Sequence, residues 1–427
     1  MKKKLCLLLS GLAAISLWAQ DSYTLIKENN LRAYGNMFPY VPASTLAPKP
    51  AEGFELFYIS HFSRHGSRYD IDSTYRHEVV KELEALHRQG KLTEKGEQLF
   101  SDLMKMRALT DGNNGELTSL GGLEHRGIAA RMYEHYPELF NGKAEIQTYT
   151  TMVKRVIESR NHFMDALLNF NPELCFKLDY LKENSWNRQE VQGRDYTPEE
   201  WAALSNDKAC RKIMEERWAK VDASHFANSI FKNPKEVPQA KELMYKFYFA
   251  IKTSACLDGA APDFIGYFTP DELYELWWRS NMSWFMHHGI TMDNGGVRAL
   301  VKGKPMTEAI IKDAEDVIAG RSKAKATLRF GHDGELNPLL CYMDIEGSNC
   351  RELSQVAEQA RDFELVCTAG NVQLLFYRNS QGKVLVTVLH NEKPSRVGTL
   401  EPYCGLFYEW EKLRDYWTER DYMAFLR

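Results

Sequence analysis

The stretch Phe54-Glu55-Leu56-Phe57-Tyr58-Ile59-Ser60, continuing through His61-Phe62-Ser63 into Arg64-His65-Gly66-Ser67-Arg68, decides how the chain is read. Its first half is aromatic and apolar, the composition of a buried strand. Its second half is a polar turn: two arginines frame a histidine, and a glycine permits close backbone approach. A strand running straight into such a cluster suits an open α/β sheet, where ligands gather at the carboxyl ends of strands.

The same layout recurs further along. Glu145 to Thr150 reads as a second strand, feeding a helix from about Met152 to Asn169 with Arg155 in its first turn. Ala326 to Phe330 reads as a short strand leading into Gly331-His332-Asp333. Helical spacing of apolar residues covers Arg76–Gln89, Thr93–Ala108 and Ser119–Tyr136. Thr307 to Ala319 is amphipathic, with Thr307 as expected N-cap and Gly320 as C′ residue. Val372–Tyr377 and Lys383–Leu389 form a hairpin across Asn379-Ser380-Gln381-Gly382. Between about Asn171 and Asn294 the texture changes to Trp-, Lys- and Glu-rich helical patterns, such as Pro238–Thr253 and Thr269–His287. The expected organisation is an α/β domain from 20–170 and 295–427, interrupted by a mostly α-helical cap insertion at 171–294.

The remaining bulk properties narrow the function. The chain has 427 residues, 44% hydrophobic and 26% charged, enough for one large core or two modest domains. With 54 basic against 58 acidic residues the net charge is −4, which excludes the basic excess of a nucleic-acid binder. A site for anions therefore has to be a local basic pocket. Met1-Lys2-Lys3-Lys4 followed by the apolar run Leu5 to Trp18 has the shape of a secretory signal peptide over 1–19, cleaved near Ala19-Gln20. The run is short for a membrane span, and none is expected after cleavage. The expectation is an exported bacterial protein: periplasmic, cell-surface or extracellular. Seven cysteines follow Cys6, with no C-x-x-C and no zinc spacing. Export permits disulfides; Cys341 and Cys350 are the closest pair, and connectivity and oligomeric state stay open.

The polar clusters suit one chemistry. Arg64, Arg68 and Arg155 offer guanidinium forks that match the oxygens of a phosphoryl group. The arginines beside His65 disfavour imidazolium and keep a neutral nitrogen available as nucleophile, giving a phosphohistidine intermediate. Asp333 is the candidate general acid for the leaving alcohol, which calls for acidic pH. His332 can donate a hydrogen bond to a phosphate oxygen. Neither metal nor cofactor is required, because arginines supply the charge stabilisation. The expected partner is a small-molecule phosphomonoester.

Arg64-His65-Gly66-Ser67-Arg68 resembles the R-H-G-x-R signature of the histidine phosphatase superfamily, and Gly331-His332-Asp333 resembles the H-D motif of its acid-phosphatase and phytase branch. Gly115-Glu116-Leu117-Thr118-Ser119-Leu120-Gly121 is similar to that branch's L-T-x-x-G segment, and Thr150 to Ser159 to its S-T-x-x-x-R-T-x-x-S segment. The similarities run in family order from about Phe54 to Glu392. The resemblance implies a nucleophilic His65, a phosphate pocket of Arg64, Arg68, Arg155 and His332, and Asp333 as proton donor. It also implies a mixed sheet flanked by helices with a helical cap. Leu389-His390-Asn391-Glu392-Lys393 is similar to a late segment of the multiple inositol polyphosphate phosphatases, which makes inositol polyphosphates such as phytate the favoured substrate. Two departures stand out: Asp70 occupies a place where the family often has Pro, and His332-Asp333-Gly334-Glu335 replaces that subgroup's H-A-E. Glu335 is thus a reserve acid. The competing functions are a broad acid, sugar or nucleotide phosphatase, and a binding protein that keeps the pocket without turnover. A pure binder needs neither His65 nor Asp333.

Other residues read more plainly. His61 is left without a role. His287-His288 point different ways on a helix and suit a surface or packed role better than a metal site. Trp277, Trp278, Trp284 and Phe285 read as cap core. Lys208, Arg211 and Lys212 could meet extra phosphates but read first as a solvated helix face.

Overall fold

The computed structural model describes residues 20–44, 49–50, 52–180, 207–290, 298–350 and 352–420; the signal-peptide expectation at 1–19 lies outside them. Its centre is one eight-stranded mixed sheet. β1 (Phe54–Arg64) lies in the middle, and every residue from Tyr58 to Arg64 is buried. That run fits a central strand covered on both faces. α1 (Thr74–Arg88), α2 (Glu94–Thr110) and α3 (Ser119–His135) follow, then β2 (Glu145–Thr150), α4 (Lys154–Phe170) and β3 (Cys175–Tyr180). Helices dominate the next segment, including α5 (Asp207–Lys220), α6 (Ser224–Ile230), α7 (Ala240–Ile251) and α8 (Pro270–His288). The chain returns through α9 (Arg298–Ile318), β4 (Ala324–Gly331), α10 (Asp333–Met343), β5 (Asn371–Asn379) and β6 (Val384–His390). The strand order is β3-β2-β4-β1-β5-β6, and β6 also pairs with short strands at Lys393–Pro394 and Phe407–Glu409.

Register brings the polar clusters together. β1 and β4 are parallel with Arg64 opposite Gly331, while β2 and β4 are parallel with Thr150 opposite Phe330. The carboxyl ends of three strands therefore open at one edge of the sheet, the place where crossover topology leaves a crevice. β5 runs antiparallel to both β1 and β6, which makes the sheet mixed. β3, inside the range expected to be cap, pairs in parallel with β2 at the sheet edge.

One local expectation is corrected. Thr307 does not cap a helix: α9 begins at Arg298, and the Thr307 hydroxyl donates to the Gly303 carbonyl at 3.0 Å. The helix runs on through Pro305, and Gly303 packs against α10 so tightly that a Cβ there would lie 2.1 Å from the Pro338 oxygen. Gly320 does take the left-handed conformation after the helix, with φ +73°. The Cys341 thiol donates to the Ser348 carbonyl (3.2 Å) and the Cys350 thiol to the Glu352 carbonyl (3.1 Å). In the helical segment Trp277, Trp278 and Phe285 are buried, and Lys208, Arg211 and Lys212 are exposed.

His61, unassigned from sequence, is a core residue. It is 1% exposed, its ring sits 5.3 Å from Phe163 and 6.0 Å from Phe330, and neither ring nitrogen has a partner. Burial pushes its pKa down from 6.5 to about 3. The unfolded chain therefore binds a proton between these values that the folded chain does not. Stability is unaffected above the unfolded pKa and falls as pH drops through it, by about 2 kcal/mol at about pH 5 from this group alone. His61→Phe is expected to flatten the acid limb of the Tm-versus-pH curve; an unchanged slope would contradict this.

Candidate active site

The loop after β1 is built from backbone. Arg64 N donates to Gly370 O (2.8 Å), His65 N to Gly331 O (2.9 Å), and Ala369 N to His65 O (3.0 Å). The loop is thereby stapled to β4 and to the turn before β5. Gly66 and Gly121 lie where two backbones cross: a Cβ on Gly66 would meet Gly121 O at 2.3 Å, and one on Gly121 would meet Ser67 O at 2.2 Å. Thr118, the N-cap of α3, directs both its N–H (2.9 Å) and its hydroxyl (3.0 Å) to Ser67 O. Ser159 on α4 accepts from Gly66 N at 3.1 Å. The Leu117–Gly121 and Thr150–Ser159 segments thus act in part as clamps on the loop.

Glu124 completes the clamp and carried no signal in the sequence. Its buried carboxylate accepts from Ser67 N (2.7 Å), Ser67 Oγ (2.8 Å), Thr368 Oγ (2.6 Å) and Tyr40 N (3.0 Å). Burial still holds its pKa above the ordinary value.

The loop fixes the tautomer of His65. Nδ1 lies 2.8 Å from the Gly66 carbonyl, which can only accept, so Nδ1 carries the hydrogen and Nε2 keeps its lone pair. Burial, then the charges of Arg64 and Arg68, then His332 and Arg155, hold the imidazole well below its ordinary pKa. In a 15N-histidine NMR titration, His65 should keep the neutral Nδ1–H pattern well below pH 6.5. Arg68→Met should move its titration upward, and protonation at or above the ordinary value in the wild type would contradict this.

Arg64, Arg68, Arg155 and His332 surround this imidazole. The His332 ring is 5.3 Å from that of His65 at 74°. Arg155 Nη2 is 3.5 Å from His332 Nδ1, and Thr151 Oγ is 3.4 Å from His332 Nε2. Arg64 is fully buried; its Nη1 donates to Asn36 O and Val366 O, and its Nη2 lies 3.4 Å from Asp333 Oδ2. Arg68 Nη1 donates to Tyr69 O (2.9 Å). The Nε of each of the three arginines is a buried donor without a partner. Burial, with the charges of Arg64 and Arg155, lowers the Arg68 pKa to about 10, and burial with Arg64 lowers that of Arg155. His332 falls to about 4, through burial and then Arg155. Cations crowded in this way, with unused donors, are stabilised by an anion with several acceptor oxygens.

Asp333 opens α10 at the same edge. Its Oδ2 accepts from Asn36 Nδ2 (2.7 Å), and its Oδ1 accepts from Gly334 N (3.0 Å). Burial pushes its pKa up, but Arg64, His288 and His65 outweigh burial and hold the carboxyl well below the usual range. Glu335 is buried and accepts from the His332 N–H, capping its own helix. Asp70, in the place of the expected Pro, pairs with buried Arg76 at 2.6 Å. Glu392 holds Arg131 (2.8 Å) and the Tyr40 hydroxyl (2.7 Å), which places the Leu389–Lys393 segment in the scaffold. His288 packs against Gly334, and its Nδ1 is a buried nitrogen without a partner. Among the described residues, no group of three or more His, Cys, Asp or Glu could hold a metal ion, and no helix is long and apolar enough to cross a membrane.

One edge of the sheet thus gathers His65, His332, three arginines and the carboxyl group of Asp333. The chain belongs to the histidine phosphatase superfamily, branch 2, whose family model matches residues 56–391, and it is a phosphoric monoester hydrolase. No curated protein matches the chain. Among solved structures it is similar to the Bifidobacterium longum multiple inositol polyphosphate phosphatase in complex with inositol hexasulfate, with 18% identity over 90% of this chain and 97% of that one and a TM-score of 0.73. It is also similar to the phytase from D. castellii, with 14% identity over 93% and 88% of the two chains and a TM-score of 0.63.

Proposed function

We propose that the enzyme is an exported acid phosphatase that removes phosphate from inositol polyphosphates such as phytate, in two steps through His65. The observation that carries the reading is the geometry of His65: Nδ1 is tied to Gly66 O, so Nε2 is the nucleophile, set among three arginines. In the first step Nε2 forms a bond to phosphorus as the ester P–O bond breaks. Asp333 gives its proton to the leaving oxygen. In the second, water loses a proton to the Asp333 carboxylate and attacks phosphorus, and the P–N bond breaks. Arg64, Arg68, Arg155 and His332 hold the nonbridging oxygens throughout.

Asp333 is anionic in the free site because cations surround it. A phosphoryl dianion offsets Arg64 and its neighbours, raises the Asp333 pKa and lets the residue carry a proton in the complex. Glu335, spent on the helix cap, is the weaker candidate for this role. We assign the helical segment beyond β3 to a cap over this edge, since from it Lys252 donates to Asn36 and His288 packs against Gly334. Export rests on the basic and apolar start of the chain.

The inositol polyphosphate assignment rests on the late-segment similarity and on the fold shared with an inositol polyphosphate phosphatase. Phosphate release from phytate and from an aryl phosphate at acidic pH tests it. The expected result is the higher kcat/KM on phytate. Turnover of the aryl ester with phytate untouched would overturn the substrate and leave the reaction class standing.

A further inference from the structure

We propose that Asn36, with its amide oriented by Lys252, is the positioning residue for Asp333, making carboxylate Oδ2 the fixed acceptor so that the transferred proton rides on Oδ1. The proposal rests on the reading of Asp333 as proton donor.

Asn36 is held by its backbone at a designed-in kink. Gly35 has φ +60°, and a Cβ there would lie 2.3 Å from Asp362 Oδ2. Asn36 N donates to that same oxygen at 2.9 Å, and Asp362, fully buried, also accepts from Trp277 Nε1 at 2.9 Å. On the other side Arg64 Nη1 donates to Asn36 O. With the main chain fixed at both ends, the side chain has little freedom to leave.

The side chain then bridges a cation and the acid. Lys252, at the C-terminal end of α7, donates from Nζ to Asn36 Oδ1 (3.1 Å) and to Ser280 Oγ (2.7 Å). An ammonium can only donate, so the amide oxygen must face Lys252. The amide nitrogen is thereby turned to Asp333 Oδ2 at 2.7 Å. Oδ2 also faces Arg64 Nη2 at 3.4 Å. Two donors make Oδ2 a poor place for a proton. Oδ1 is met by the Gly334 N–H at 3.0 Å and keeps a lone pair for the proton. Lys252 is held between these two neutral acceptors with the carboxylates of Asp362 and Asp333 close by, which keeps it a donor and fixes the orientation of Asn36.

The test uses the full chain and esters that differ in their need for a proton. Nitrophenolate leaves readily from an aryl phosphate without a proton, whereas the alkoxide of a simple alkyl phosphate does not. Asn36→Leu should lower kcat/KM, which reports the phosphorylation step, about tenfold more on the alkyl ester than on the aryl ester, with little change in the inhibition constant of inorganic phosphate. Lys252→Met, which frees the amide to flip, should show the same bias to a smaller degree. Asn36→Leu should add little to Asp333→Asn, because both act on one proton transfer. Equal losses on the two esters in both Asn36→Leu and Lys252→Met would overturn the proposal while an Asp333→Asn bias left the acid assignment intact. Absence of the bias in Asp333→Asn itself would overturn the acid assignment and this proposal with it.

Discussion

His65→Ala is expected to lose phosphatase activity about 10⁴-fold or more while still binding inorganic phosphate. In the proposed mechanism Nε2 forms the covalent bond, and the other imidazole of the site, His332, lies beside Arg155 and Thr151. The loop should survive the change. Its hydrogen bonds to Gly331 and from Ala369 involve the His65 backbone, and the side chain contributes the bond from Nδ1 to Gly66 O. Arg64, Arg68 and Arg155 keep their places, so phosphate should inhibit competitively or stabilise the variant against heat. Full activity in His65→Ala would end the mechanism. Loss of both turnover and phosphate binding would point to collapse of the loop instead.

Asp333→Asn is expected to reduce kcat/KM, which reports the phosphorylation step, by about 10²- to 10⁴-fold on esters with poor leaving groups and far less on a nitrophenyl ester, while hydrolysis of the phosphohistidine slows alike for both. Asparagine can keep the contact with Asn36 or Arg64 only imperfectly, and it cannot deliver a proton. The pH profile should change too. In the wild type kcat should fall as pH rises through the Asp333 pKa in the complex, which the bound dianion has lifted from its low value in the free site. That alkaline limb should flatten in Asp333→Asn. Glu335→Gln serves as the control: it should cost stability through the cap on the His332 N–H and leave the dependence on leaving group unchanged. The opposite pattern would make Glu335 the acid.

The strands, the helices beside them and the R-H-G-x-R loop are legible because they are local. β1 announces itself by the aromatic and apolar stretch Leu56–Ile59, and the Arg64–Arg68 cluster follows a few residues on. Convergence could be anticipated from three strand ends that share one pattern, and the parallel registers of β1, β2 and β4 realise it. What the sequence hides is partnership across distance. Asn36 and Asp333 are 297 residues apart, and Ser67 and Glu124 are 57 apart. Glu124, between Leu123 and His125 on a helix with no clear apolar stripe, looks like any solvated glutamate until the fold buries it. Lys252 and His288 sit at the ends of helices whose texture suggests only packing. β3 alternates Phe176, Leu178 and Tyr180 with Lys177 and Asp179, but it is only six residues long and nearly all exposed, so it reads as part of the segment that follows. Thr307 misled because its hydroxyl can cap a helix or bond back one turn within it, and contact with α10 selects the second.

The central claim is a phosphoryl group on His65 Nε2, and trapping that group tests it most directly. The wild-type enzyme would be mixed with a radiolabelled phosphomonoester at acidic pH, quenched in alkali within a turnover, and digested for mass spectrometry. The expected result is an alkali-stable, acid-labile phosphate on the peptide carrying Arg64-His65-Gly66, absent in His65→Ala and lost on chasing with unlabelled substrate. Label on another residue, or full turnover with no label on His65 at any time before the steady state, would contradict it.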